Sequence, residues 1–483
     1  MTKATPPRPP RPAPAIHEHG EQAEVESDPA GVAGRPRSKA LRGIDELDRT
    51  QARRILAQMG ENGKPPELGV AHVNVGNESY LGVIEAAYIR DLICTIEGSS
   101  FKLVQGTYGA GKTHFLYCVR DLAWRHRLLT AFVTISPKES PFNRPLAVYR
   151  AVAQRIERPH DGVAEQTRGI DDLIRLAVEG LAAADGADDA RAWIDATLAR
   201  APFTRHSFRD AASGFARAVL DRDEPSARRL AAWLRGEDIT LAEAKRAGLY
   251  EVPSDDNGFG MLRSLIQLVP RIGWQGCALL LDEAERRLAI GDKPTKALGE
   301  TVDHLRELID LCGRSELPRT LVLYAVTPAF TEQVLPLYPA LQQRLGAPIQ
   351  FLAASNPKAP VIDLEALDLE PRKLLRAVGK RLVEVARRAY DWDPDDQIVQ
   401  ANLERLSAIV TAEQLEVGHR RFFVKLWIRL LDQQRLGKPK ALEDDEMRVL
   451  VRDEQALVAE EVDEALADTF FGIPFLKPAK KKS

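Results

Sequence analysis

Eight consecutive residues, from Gly106 to Thr113, have the types and the spacing that phosphate binding requires. Their order, Gly-Thr-Tyr-Gly-Ala-Gly-Lys-Thr, matches the G-x-x-x-x-G-K-[ST] phosphate loop, or Walker A motif. Glycines let the backbone curl so that its N–H groups point at phosphate oxygens. Lys112 would neutralise the phosphates, and the Thr113 hydroxyl would bind Mg²⁺. The predicted nucleotide-binding residues are Gly106, Thr107, Tyr108, Gly109, Ala110, Gly111, Lys112, Thr113 and His114.

The segments on either side of this loop fit a strand and a helix. Residues 100–105 are short and partly apolar, and residues 114–124 carry apolar side chains at helical spacing. A strand, a glycine loop and a helix in that order form the context that supports a Walker A motif. A chance glycine turn is the alternative interpretation, and the four fixed positions of the motif argue against it.

A second strand-like run, residues 276–281, ends in two acidic residues. Its continuous apolar character predicts a strand buried on both faces, which is the form of a Walker B motif. Asp282, at the carboxyl tip, is predicted to hold Mg²⁺, and Glu283 is predicted to orient or deprotonate the attacking water. An ordinary strand end is the alternative interpretation. The presence of the phosphate loop upstream favours the interpretation as a Walker B motif.

Residues farther along the chain are candidates for sensing the γ-phosphate. Thr327 ends the next predicted strand, although it could equally cap the helix that follows. Arg344 lies on a short predicted helix where ring-forming ATPases place an arginine finger, and a surface salt bridge is the competing interpretation. Arg421, with Arg420 as the fallback, opens a helix that suits a lid over the nucleotide. A solvated helix face is the other interpretation of that arginine.

The composition indicates a globular chain. Of the 483 residues, 44% are hydrophobic and 28% are charged, and the net charge of −3 offers no general attraction to nucleic acid. Four widely separated cysteines argue against a disulfide framework or a zinc site and fit a reducing compartment. No apolar run is long enough for a membrane span, and no apolar signal core is evident near the N terminus. We therefore expect a cytoplasmic protein without a membrane partner.

Periodicity and composition divide the chain into six parts. Strands that alternate with helices predict a parallel sheet covered on both faces. The predicted parts are 1–40, a disordered tail; 41–158, the first part of the ATPase core; 159–260, an all-helical insertion; 261–360, the second part of the core; 361–436, a helical lid; and 437–483, an acidic helical segment with a basic tail.

Taken together, the phosphate loop, the acidic pair and the downstream Thr and Arg residues resemble those of AAA+ ATPases. Four stretches are more specific and resemble the ATP-binding protein of BREX-type phage-exclusion systems, a BrxD-like family. They are NVGNESYL (74–81), FKLVQG (101–106), GKTHFL (111–116) and LDEAE (281–285). The resemblance extends over about residues 42–435. It does not include the N-terminal tail.

The resemblance implies an α/β fold: a P-loop AAA+ core with a parallel sheet, an all-helical insertion and a C-terminal helical lid. It implies that the chain binds ATP with Mg²⁺, through Thr113 and Asp282, and hydrolyses it in anti-phage defence. Other defence proteins, such as a helicase, are the implied partners, within a homo-oligomer or a hetero-complex. DNA is a further expected partner, either directly or through another protein. The residues with implied catalytic roles are Lys112, Glu283, Thr327, Arg344 and Arg421.

Two other functions are compatible with the same motifs. A nucleotide-gated scaffold would bind ATP, hydrolyse it slowly if at all, and recruit partners. A signalling P-loop ATPase would use nucleotide to hold an autoinhibited form, but such proteins carry repeat or effector domains, and no internal repeat is evident here. Small-molecule kinase activity fits the acidic pair and the lid less well.

Overall fold

A six-stranded sheet forms the centre of the molecule. The computed structural model describes residues 47–136, 140–160, 168–282, 295–346, 350–367, 369–412 and 419–454. The strands are β1 (Ser99–Gln105), β2 (Leu128–Thr134), β3 (Ile156–Glu157), β4 (Gly276–Asp282), β5 (Thr320–Val326) and β6 (Val361–Asp363). The sequence predicted β1, β4 and β5, and the apolar run 128–135 predicted β2. It did not predict β3 and β6, because two or three residues are too few to show a period.

The strand order, β3-β2-β4-β5-β1-β6, places the two motif-bearing strands near each other. β1 pairs with β5 and β6, and β4 pairs with β2 and β5, in each case parallel. β3 is antiparallel to β2, so the predicted parallel sheet is confirmed except at this edge. Because parallel strands end at one side of a sheet, the residues that follow β1, β4 and β5 gather there.

Helices cover both faces of the sheet. Every residue of β4 and β5 is buried, as their continuous apolar sequences predict. One face packs against α2 (Glu78–Val83), the π-helical segment Ile84–Thr95 that continues it, and α3 (Lys112–Arg125). The other face packs against α4 (Pro145–Arg155), α10 (Gly258–Arg271) and α11 (Lys296–Gly313).

Between β3 and α10, the described residues form mostly helices. They are α5 (Ile170–Asp185), α6 (Ala187–Trp193) with its π-helical continuation Ile194–Ala199, α7 (His206–Leu220), α8 (Glu224–Leu234) and α9 (Leu241–Arg246). Their apolar side chains join those of one sheet face in a single cluster. These helices therefore extend the core on that face of the sheet and do not form a separate core of their own.

The C-terminal helices form a second cluster together with a helix from the start of the described chain. This cluster contains α1 (Arg49–Asn62), α13 (Pro371–Tyr390), α14 (Asp396–Ala412) and α15 (His419–Leu436), and the helical residues 444–454 add to it. The range 41–158, predicted as the first part of the core, includes α1, yet the buried Ile55 and Met59 of this helix pack in the C-terminal cluster.

The boundary of the lid also differs from the one expected. β6 lies inside the range predicted for the lid but pairs with β1, and the C-terminal helices after it begin at α13. Three short elements complete the fold between β5 and β6: the π-helical Phe330–Val334, the 3₁₀ turn Leu335–Leu337 and α12 (Pro339–Leu345). No helix within the described ranges is both long enough and apolar enough to cross a membrane. The predicted tail 1–40 and residues 455–483 lie outside the described residues.

Candidate nucleotide-binding site

The phosphate loop connects β1 to α3, as the motif predicts. Gly109 and Gly111 have φ angles of +80° and +95°, in the left-handed region where other residues are strained. Gly106 is crowded, because a Cβ atom there would lie 3.1 Å from Ala110 Cβ. Since α3 begins at Lys112, its first-turn N–H groups and the positive end of its dipole are available at the loop. This backbone fits an anion such as a phosphate group.

The Lys112 side chain folds back over the loop. It is only 8% exposed, and its Nζ donates to the carbonyl oxygens of Gly106 at 2.9 Å and Thr107 at 3.2 Å. These two bonds hold the ammonium group inside the curve of the loop. A phosphate bound there would meet the lysine charge without a large side-chain rearrangement.

The two sequence motifs meet directly. The Thr113 hydroxyl donates to Asp282 Oδ2 at 2.7 Å, although 169 residues separate the two along the chain. Asp282 is the last residue of β4 and is 3% exposed, and its register partner on β2 is Thr134. A hydroxyl and a carboxylate oxygen are the ligand types that Mg²⁺ prefers, so the pair fits that ion. Glu283 lies outside the described residues.

The tip of β5 lies between the two motif strands. Thr327 follows β5 directly, and its carbonyl oxygen accepts from Phe330 N–H at 3.0 Å. Beside it, the Thr331 hydroxyl donates to Gln105 Oε1 at 2.6 Å, which joins the segment after β5 to the end of β1. The strand order thus places Thr327 at the same edge as the phosphate loop and Asp282.

Both candidate lid arginines contact the phosphate loop. Arg420 donates from Nη1 to the Ala110 carbonyl oxygen and from Nη2 to the Leu364 carbonyl oxygen at 3.0 Å. Burial lowers the pKa of its guanidinium, and the negative charge of Glu365 opposes that shift. Arg421 donates from Nη1 to the Tyr108 hydroxyl at 2.8 Å. The structure therefore brings the preferred residue and the fallback to the same loop, and Arg420 reaches deeper into it.

Sequence reasoning missed one acidic residue at the loop. Glu365 Oε1 accepts from the Thr107 N–H at 3.1 Å and from the Thr107 hydroxyl at 2.6 Å. Its other oxygen lies 3.8 Å from Arg420 Nη2, so this carboxylate links the phosphate loop to the lid. Glu365 follows β6, a three-residue strand with no detectable period, and the sequence therefore contained no signal for its position.

His114, the last residue of the predicted binding stretch, packs beneath the loop. Burial, with a smaller contribution from the Arg420 charge, lowers the pKa of its imidazole to about 4. Its Nε2 lies 3.1 Å from Asn74 Oδ1, in a segment that precedes α2. The histidine is therefore uncharged at neutral pH and belongs to a buried polar network.

Arg344, the candidate arginine finger, is paired within its own chain. Its Nη2 lies 2.8 Å from Asp310 Oδ2, and its Nε lies 2.5 Å from Asp310 Oδ1. The hydrogen bond from Arg344 lowers the pKa of Asp310 below its usual value. The two side chains are about one-third exposed. The structure thus places Arg344 on the outside of α12 in a bidentate ion pair with α11.

Comparison with known proteins agrees with this geometry. The model of one family, described as BREX system ATP-binding protein BrxC/D, matches residues 48–441. A search of curated proteins and a search of solved structures each found no match. The match covers most of the chain and includes the phosphate loop, Asp282 and the lid arginines. The chain belongs to the BREX system ATP-binding protein BrxC/D family and is an ATP-binding protein of the BREX anti-phage system.

Proposed function

We propose that this chain hydrolyses ATP at the phosphate loop as an AAA+-type ATPase. The observation that carries the proposal is the 2.7 Å hydrogen bond between Thr113 and Asp282, because it joins the two halves of a magnesium–phosphate site. Bound MgATP supplies the scissile phosphoanhydride and a cation that neutralises charge as that bond breaks. Phosphoryl transfer needs mainly positioning and electrostatic stabilisation, which this loop is built to give.

Each side chain has a distinct role in this proposal. Lys112 and the loop N–H groups bind the phosphates, and Thr113 with Asp282 binds Mg²⁺. Glu283, directly after Asp282, accepts a proton from the attacking water. Thr327 lies beside the reacting phosphate.

The lid and a neighbouring subunit complete the proposed site. Arg421 and Arg420 stabilise the γ-phosphate from the lid, and both already contact the loop. Arg344 acts on a neighbour's nucleotide in a homo-oligomer or hetero-complex. The lid would close on ATP and open again after hydrolysis. Both movements would shift α13–α15 relative to the sheet.

We further propose that this cycle serves anti-phage defence in the cytoplasm. The chain would act beside another defence protein, such as a helicase, and contact DNA directly or through that partner. Membership in the BrxC/D family supports the defence role. The net charge of −3 favours contact with DNA through the partner or through a local patch.

One observation favours the second candidate function, a nucleotide-gated scaffold with little turnover. Arg344 is held by Asp310 in a bidentate pair, and such pairs are among the stronger hydrogen-bonded contacts. If that pair persists in the assembly, no arginine finger reaches a neighbouring phosphate, and hydrolysis would be slow.

Turnover measurements test the ATPase proposal. Lys112→Ala is expected to lose both ATP binding and hydrolysis, while Glu283→Gln should keep binding and lose roughly 10²-fold or more of turnover. Glu384→Gln, on an exposed part of α13, is the matched control and should hydrolyse ATP normally. ATP binding by the wild type without turnover, even with DNA and partner proteins supplied, would instead support the scaffold. Wild-type turnover in both site variants would refute the ATPase assignment.

A further inference from the structure

The backbone after β6 holds one carboxylate in a defined place beside the phosphate loop. The Glu365 N–H donates to Asp363 Oδ1 at 2.9 Å. The Tyr80 hydroxyl donates to the carbonyl oxygens of Asp363 at 2.9 Å and Ala366 at 3.1 Å. The Leu364 N–H is bonded to β1, so the chain is fixed on both sides of Glu365. Its side chain is therefore presented from a firmly held segment.

The two oxygens of this carboxylate face different parts of the site. Oε1 accepts from the N–H and the hydroxyl of Thr107, the second residue of the phosphate loop. The other oxygen, Oε2, lies 3.8 Å from Arg420 Nη2 on α15. The Glu365 side chain is about one-third exposed, so its partners can change without any change in the core. One acidic side chain thus touches both the loop and the lid.

The charge of Arg420 is only partly balanced in this arrangement. Its two printed hydrogen bonds go to the carbonyl oxygens of Ala110 and Leu364, which carry no net charge. Glu365 is the acidic side chain beside it, and 3.8 Å is too long for a hydrogen bond. Burial lowers the pKa of the guanidinium, which shows that its charge is poorly solvated. A buried charge with such loose pairing favours any anion that fits it better.

We propose that Glu365 sets how strongly the site distinguishes ATP from ADP, because its carboxylate and the third phosphate of ATP compete for Arg420. This inference rests on the proposed nucleotide site at the phosphate loop. The third phosphate carries more charge than a carboxylate and offers paired oxygen acceptors, which suit a guanidinium. ADP lacks this group and leaves Arg420 with Glu365. Since Glu365 acts through Arg420, it is a positioning residue.

Binding of two nucleotides to two variants tests the inference. Glu365→Gln keeps an oxygen that can accept from Thr107 but removes the negative charge. Calorimetry would use a non-hydrolysable ATP analogue and ADP, each with Mg²⁺. The variant is expected to bind the ATP analogue about fivefold more tightly, with less than about a twofold change for ADP, because a partly exposed ion pair contributes up to about 1 kcal/mol. Glu365→Asp keeps the charge and should stay within about twofold of wild type for both ligands, as should the control Glu384→Gln on the exposed face of α13.

A double-mutant cycle shows whether the effect passes through the arginine. Arg420→Gln removes the charge and keeps amide donors for the neighbouring carbonyl oxygens. In this background, Glu365→Gln should no longer favour the ATP analogue, because the group for which the two anions compete is gone. An undiminished gain in the Arg420→Gln background would overturn the inference.

The remaining outcomes separate this inference from the proposed function. Equal tightening of ADP and the ATP analogue would show general charge repulsion by Glu365, and weaker binding of both would show a purely structural role for it. Either result refutes the competition for Arg420. If wild type binds and hydrolyses ATP but Glu365→Gln leaves the preference for ATP unchanged, the inference fails while the ATPase proposal stands. If wild type binds neither nucleotide, the proposed site fails and the inference fails with it.

Discussion

At the scale of single residues, the site depends on one short hydrogen bond whose geometry is set by strand register. Thr134 of β2 is paired with Asp282 of β4, and Asp282 accepts from Thr113. Side chains alternate between sheet faces, so a shift of β4 by one residue would turn the carboxylate away from α3. The parallel ladders with β2 on one side and β5 on the other hold β4 in this register, which keeps the acid at the loop.

A buried lysine on β1 gives a pH-dependent prediction. Lys102 is 2% exposed, donates to the Ala359 carbonyl oxygen at 2.7 Å, and lies 4.2 Å from the centroid of the Tyr88 ring. Burial lowers its pKa from 10.5 to about 7. The unfolded chain therefore holds this proton up to higher pH than the folded chain does. The group destabilises the fold most below pH 7, and this penalty disappears as the pH rises from about 7 towards about 10.5.

Lys102→Met should therefore raise the free energy of unfolding at neutral and lower pH. The gain is expected to be on the order of 2 kcal/mol near pH 6.5, because burial of the charge is relieved while hydrogen bonds to carbonyls are lost. It should shrink as the pH rises towards 10. Denaturant titrations across this range measure it, and Lys373→Met, at an exposed lysine of α13, is the control. A gain that does not change with pH would contradict the assigned protonation.

At the scale of elements, two segments from distant parts of the chain, α15 and the residues after β6, converge on the phosphate loop. Arg420 on α15 contacts Ala110 and Leu364, and Glu365 after β6 contacts Thr107. In the same segment, the Leu364 N–H donates to the carbonyl oxygen of Gln105, the last residue of β1, at 2.9 Å. The position of the lid helix is therefore coupled directly to the backbone that would hold phosphate.

Arg420→Ala should loosen the lid and weaken nucleotide binding. The variant removes two charge-assisted bonds from a buried position, which is expected to cost about 2–4 kcal/mol of stability and about tenfold in ATP affinity. Arg381→Ala, on α13, where the side chain is 39% exposed and pairs only with the exposed Glu384 in a surface ion pair, should change both quantities little. Thermal unfolding and calorimetry measure the two effects. Equal behaviour of the two variants would mean that Arg420 does not couple the lid to the loop.

At the scale of the whole molecule, the proposed mechanism needs a neighbouring subunit to complete the site. Arg344 and Asp310 form a bidentate pair on the surface that α11 and α12 share. An arginine that acts on another subunit must leave this pair, and the Asp310 carboxylate competes with the neighbour's phosphate for it. The pair would then set the balance between a resting subunit and one engaged with its neighbour.

Removing the Arg344 guanidinium and removing the Asp310 carboxylate should change ATP turnover in opposite directions. Arg344→Ala is expected to lose roughly 10³-fold of ATP turnover, whereas Asp310→Asn should keep or raise it. Arg306→Ala, on α11 and partly exposed, is the control. A mixture of Arg344→Ala and Glu283→Gln chains should recover activity, because an intact site then meets a neighbour's intact arginine. A mixture as inactive as its components would exclude action between subunits, and mass measurement with a non-hydrolysable ATP analogue would show whether an assembly forms.

Local patterns in the sequence were enough to predict several parts of the fold. Glycine spacing predicted the phosphate loop. Apolar periodicity predicted four of the six strands and the helices of the insertion and the lid, because this pattern depends only on residues near each other in the chain. The sequence also pointed to Asp282, because an acid after a buried apolar run can lie only at a strand tip.

Contacts between residues far apart in the chain became visible only in the folded structure. The positions of Glu365 and Asn74 at the loop, the packing of α1 with the lid and the pairing of Arg344 with Asp310 depend on contacts between segments far apart in the chain. A three-residue strand such as β6 has no period of its own and exists because β1 offers it hydrogen-bond partners. Long-range packing and register, which leave no local pattern, therefore fixed the arrangement around the loop.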